Sequence, residues 1–224
     1  MIGSALVLAP LLAAQTPVVD RAVLVIREGG TEIGREHYEL REGALDDRSR
    51  GHLLDARIAR GSRTARLSIQ ADAAGGAREF GLEISTATGE RALMLAGRMG
   101  RGVFVIRSIA TSGERGRELP ASRAPVALSD STYSSYALLP HRLDAGDSTF
   151  VAVLPESGRQ VTARVTDGGL ARTPVNGVPA RLRRLDLELG AERRTVWLCP
   201  EDNRFVKLEI PARNTVVERL PAGT

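Results

Sequence analysis

Apolar and polar positions alternate with a period of two from residue 18 to near the end of the chain, with one interruption. Val18 to Arg27 reads as a first strand, apolar on both faces over its middle. Glu28-Gly29-Gly30-Thr31 is a hairpin turn signal, and Thr31 to Arg41 returns as a second strand. His52 to Ala59 and Thr64 to Ala71 pair around Arg60-Gly61-Ser62. In that hairpin Leu67 and Ile69 point one way, and Arg66, Ser68 and Gln70 the other. Ala77 to Thr86, Arg91 to Gly97 and Arg101 to Ile109 continue the alternation between glycine turns.

The pattern breaks between Thr111 and Gly146. Glu118-Leu119-Pro120 and Ala124-Pro125 read as loop. Ser129 or Asp130 is placed to cap a short helix near 129–139, with Tyr133, Tyr136, Ala137 and Leu139 on one face and Pro140 ending it. Strands resume at Ser148 to Leu154 and Gln160 to Thr166, with Asp167-Gly168-Gly169 ending the second of them. Val178 to Leu189 carries a phase slip at Arg183-Arg184, where a bulge is expected. Arg194 to Cys199, Phe205 to Ile210 and Thr215 to Arg219 close the chain. About twelve or thirteen strands follow from this spacing. The expected fold is all-β and mainly antiparallel: a long curved sheet forming a partly closed barrel or half-barrel. It reads as a single β domain over 18–220, with a loop and helix insertion at 111–146.

Residues Ile2 to Ala14 form an apolar run too short to span a bilayer, followed by Gln15-Thr16-Pro17. No basic residue precedes the run, but Pro10 within it and its lack of amphipathic period fit a signal peptide over 1–15. Export to a periplasm or the exterior is therefore expected. With no cysteine near the expected cleavage point, a lipid anchor is not. One cysteine excludes an internal disulfide framework and multi-cysteine metal sites. The chain carries 31 basic and 27 acidic residues, and its arginines are scattered among carboxylates instead of clustered on one element. That argues against nucleic acid as a partner. Lys207 is the only lysine.

The C-terminal third is the most distinctive text. It reads N-G-V-P-A-R-L-R-R-L-D-L-E-L, then R-T-V-W-L-C-P-E-D-N-R-F-V-K-L-E-I-P, then N-T-V-V-E-R. A strand, a Trp197-containing strand, a short Asp/Asn turn and a strand carrying Lys207 follow one another. Over residues 176 to 219 this resembles a family of uncharacterised exported bacterial β proteins classed as domains of unknown function. Its half-barrel resembles the Lol-type periplasmic lipoprotein carriers. The resemblance implies a concave apolar surface able to hold an acyl chain or a partner segment, and carries no catalytic residues across.

No nucleophile elbow, zinc-protease helix or phosphate loop is present, and Gly97 to Gly102 reads as a hairpin. His141 lies near Ser131, Ser134 and Ser135 and near Asp144 and Asp147. A hydrolase site there is an alternative, although no strained nucleophile turn or oxyanion hole is legible. His37 and His52 with Asp46 or Asp47 have no metal-ligand spacing and read as surface histidines. Cys199 shares strand parity with Trp197 and is expected as a small buried hydrophobe. No catalytic residue, metal or cofactor is therefore assigned. The expected function is non-enzymatic binding of a lipid, an acyl chain or a peptide in a groove lined by Tyr133, Tyr136, Phe150, Trp197 and Phe205, with the helix as its lid. The other non-enzymatic reading is an envelope interaction module that pairs a partner chain on an edge strand.

Overall fold

The structure, a computed structural model, describes residues 16–45 and 49–221. The run assigned to a signal peptide lies outside them, as do Asp46 and Asp47. Fifteen strands are found among the described residues. The first arm contains β1 (Val18–Glu28), β2 (Thr31–Ala44), β3 (Arg50–Arg60), β4 (Arg63–Asp72), β5 (Ala77–Thr86), β6 (Arg91–Met99), β7 (Val103–Ala110) and β8 (Gly113–Pro120). The second contains β9 (Val126–Ala127), β10 (Thr149–Leu154), β11 (Arg159–Val175), β12 (Val178–Leu189), β13 (Glu192–Leu198), β14 (Phe205–Ile210) and β15 (Thr215–Arg219).

All fifteen strands belong to one sheet, ordered β8 to β1, then β15 down to β9. Each arm is an antiparallel meander; only the short β9 runs parallel to its neighbour β10. The arms join where β1 pairs with β15, so the first and last strands meet in the middle of the sheet. Arg219 locks that seam. Its guanidinium donates to the Asp20 carboxylate and to the carbonyls of Phe205 and Arg21, each at 2.5–3.0 Å. The far ends of the arms approach each other: the Ala77 N–H donates to the Pro125 carbonyl at 2.7 Å, and Gln160 donates to that of Pro120 at 3.0 Å. The sheet is thus a curved, mainly antiparallel half-barrel, with β8 and β9 as its open edges.

The two-residue turns set the registers. Gly29 and Gly30 have φ of 58° and 85°, the left-handed pair that a tight hairpin matching strand twist requires. Alternation then sends one residue in two to the core face. Leu24, Leu54, Leu67, Leu82 and Phe104 of the first arm and Leu185, Val196, Leu208 and Val217 of the second are all essentially buried there. Each such side chain is worth roughly 1.5–3 kcal/mol of transfer free energy. Tyr133, Tyr136, Leu138 and Leu139 of the intervening segment belong to the same core cluster. The chain thus fills its own half-barrel.

The insertion differs from expectation in three ways. Residues 113–120, expected as loop, form β8, whose positions are nearly all exposed because it is an edge strand. The helical part starts later, as a 3-10 turn at Ser134–Leu138 continuing into α1 (Leu139–Asp144). Ser129 forms no N-cap for it; its hydroxyl accepts the N–H groups of Ser131 and Thr132 at 3.0 Å in a local turn. Pro140 sits in the first turn of α1, where its missing N–H is harmless, so it opens the helix instead of ending one. Beyond the insertion, β11 does not stop at Asp167 but runs on to Val175. The slip expected at Arg183-Arg184 is a bulge whose extra residue, Gly168, lies on the facing strand.

Candidate ligand-binding groove

The residues expected to line a groove lie elsewhere. Tyr133, Tyr136 and Phe205 are at most 1% exposed, Phe150 is 8%, and all four belong to the filled core. Tyr136 stacks on Phe205 with ring centroids 6.4 Å apart, while the Arg142 guanidinium lies 5.9 Å over the Phe150 ring. Trp197 is buried on the opposite face of the sheet and donates its indole N–H to Glu209 at 3.2 Å. The structure brings Tyr133, Tyr136 and Phe205 into one cluster and leaves Trp197 apart from it. The 3-10 turn carrying the tyrosines is a plug, held by polar bonds. The fully buried Glu36 carboxylate accepts the N–H groups of Tyr133 and Ser134 at 2.7 and 3.0 Å. Burial pushes that carboxyl above its ordinary value. Arg194 donates to the Tyr136 hydroxyl and, at 2.9–3.0 Å, to Asp130 and Glu192.

His52 is buried, not on the surface as expected, and stacks on His141 with centroids 3.8 Å apart. His141 therefore packs against a ring, not against a serine hydroxyl. Burial first, then the neighbouring imidazole, lowers His141 to about 4; burial lowers His52 as well. His37 lies exposed on the other face of the sheet.

An open groove of about 1460 Å³ crosses the sheet face opposite the core. Its floor follows from register. Val23, His37, Arg57, Arg66, Glu83 and Met94 lie side by side across β1 to β6. The next row contains Asp55, Ser68, Gly81 and Ala96, whose small side chains leave a trough. A Cβ added at Gly81 would meet the Ser68 hydroxyl at 2.9 Å, so the floor is already close-packed there. The trough continues into a second hollow of about 740 Å³ that shares these four residues and reaches Met99 and Val105.

The far wall is the tip of the β11–β12 hairpin, with Val175, Asn176 and Val178, together with Cys199, Arg204 and Val206. The Gly168 bulge lets this long hairpin bend over the sheet. Its anchor is the sole lysine. Lys207 is 4% exposed and donates to the Thr173 hydroxyl at 3.0 Å and the Pro174 carbonyl at 2.8 Å. It also pairs with Glu209 at 2.9 Å and Glu218 at 3.7 Å, while Arg27 holds Glu218 at 2.5 Å. Asn176 donates to the Arg219 carbonyl at 2.8 Å. Lys207 of the Trp197 and Lys207 pattern in the sequence is thus the clasp of this hairpin. Cys199 is half-buried at the groove, not in the core. Its thiol lies 2.8 Å from Glu201, and burial, then that bond, raises it above its ordinary value.

Fold and site together define an open antiparallel half-barrel with one face filled by its own chain and a groove on the other. No family model matches the chain, and no curated protein matches it. A similar solved structure is a DUF1089 family protein from Pseudomonas aeruginosa, 14% identical over 94% of this chain and 98% of the other, with a TM-score of 0.43.

Proposed function

We propose that this chain is an exported, non-enzymatic protein that binds a hydrophobic ligand, a lipid or acyl chain, in the groove between β1–β6 and the β11–β12 hairpin. The observation that carries the reading is the groove itself. At about 1460 Å³ it exceeds the roughly 300–1,000 Å³ of ordinary small-molecule sites, and Val23, Met94, Ala96 and Val206 give it apolar walls. Because the half-barrel interior is filled, the ligand belongs on the opposite face from the one the tyrosines suggested. The apolar run at Ile2–Ala14 supports export. Native mass spectrometry of the mature chain, secreted from a bacterial host and offered lipid, tests the reading. A one-to-one adduct in the lipid mass range, lost when Ala96→Arg fills the trough, is the expected result. A bare chain mass under all loading conditions removes the proposal.

A further inference from the structure

Charge pairing along the groove singles out two residues. Glu39 is held by Arg21 and Arg41, Glu83 by Arg91 at 3.1 Å, and Arg204 by Asp202 at 2.5 Å. Asp55 lies 4.0 Å from Arg41. Arg57 and Arg66 form no ion pair with any described residue. Glu83 stands opposite Arg66, but its carboxylate turns to Arg91. The two arginines also face each other directly across β3 and β4, next to His37 on β2. Like charges in directly opposed positions destabilise a sheet. Here the opposed pair lies in the floor of the groove, beside apolar Val23 and Met94.

We propose, resting on the hydrophobic-ligand reading above, that the groove takes a single anionic diacyl lipid. Its phosphate lies on Arg57 and Arg66, and its chains run along the Ser68–Gly81–Ala96 trough. Two guanidinium forks supply the planar donors that a phosphate's oxygens accept in pairs. The ligand's negative charge relieves the repulsion between the arginines, with which no carboxylate among the described residues forms an ion pair. The trough next to them has the width of small side chains and leads into the second hollow, which gives the acyl chains a path away from the charged end.

The test compares phosphatidylglycerol with phosphatidylcholine of the same acyl chains, titrated against the full mature chain by native mass spectrometry. Phosphatidylglycerol is expected to bind at least tenfold tighter, and added salt should weaken only that lipid. In Arg57→Gln/Arg66→Gln the preference should vanish while phosphatidylcholine binding stays. The melting temperature should not fall, because a repulsion has been removed. The salt series on the wild-type chain decides the matter even if that variant folds poorly. Equal binding of both lipids by the wild type overturns the head-group assignment and leaves the hydrophobic-ligand reading standing. Binding of neither lipid removes both. Flotation with phosphatidylglycerol vesicles without a one-to-one complex makes the arginines a membrane-docking patch and also overturns the proposal.

Discussion

The stacked imidazoles of His52 and His141 join the start of β3 to α1 beside the plug, and their burial ties this contact to pH. The carboxylates facing them are Glu42, Asp72 and Asp144, and all of these favour the charged rings. Burial outweighs them and keeps both rings neutral below the ordinary imidazole value of 6.5, His141 down to about 4. A group whose folded-state value is depressed binds protons more readily in the unfolded chain. Its contribution to stability is present above pH 6.5 and is lost as pH falls toward 4. Urea midpoints of the wild type should decline across that interval. In His141→Phe, which keeps a stacked ring and removes a titrating group, the decline should be shallower. An identical slope in the two proteins would show that the pair does not carry the pH dependence. Glu36 belongs to the same scale. It shares strand parity with Tyr38 and Leu40, which marks it for the core, yet a glutamate beside His37 reads as surface until its partners, two N–H groups about a hundred residues away, are known.

At the scale of elements, the β11–β12 hairpin rests on Lys207. All three ammonium donors are used, on Thr173, Pro174 and Glu209. Lys207→Met keeps most of the stem but leaves Glu209 and Glu218 with less compensation, at a cost of about 3 kcal/mol. Hydrogen exchange should quicken over residues 170–178, the groove wall should loosen, and lipid binding should weaken with it. Global destabilisation with unchanged exchange at the hairpin would mean that Lys207 holds the sheet and not the arm. Much of this level was legible. The glycine turns and the two-fold alternation locate nearly every hairpin, and counting outward from Gly61-Ser62 already sets Arg57 opposite Arg66. The alternation does not say what covers each face. A strand apolar on one side looks the same whether a plug, a hairpin or a ligand lies over the other side. For that reason the alternation points the tyrosines at a groove, whereas they fill the half-barrel. The strand β8 was missed because an edge strand exposed on both faces has no alternation to detect.

For the whole molecule, the order of strands creates one expensive contact. Every antiparallel pairing in the two arms joins neighbours in sequence, except β1 with β15 at the centre. That seam brings together residues as far apart as Asp20 and Arg219, 199 positions along the chain. Closing so long a loop costs entropy before the contact returns anything, and topologies rich in such contacts fold slowly. The same order offers a test. If residue 221 is joined to residue 16 by a flexible linker of about eight residues and the chain is opened at Ser122, an exposed bend, the sheet becomes a continuous meander from β10 through β15 and β1 to β8. The native contacts stay the same, but the central seam becomes local. The permutant should refold several-fold faster than the parent in stopped-flow experiments, with a similar denaturant midpoint, because the change acts on the search and not on the final packing. A refolding rate no faster than the parent's, at equal stability, would show that each arm nucleates alone and that the seam forms after the rate-limiting step.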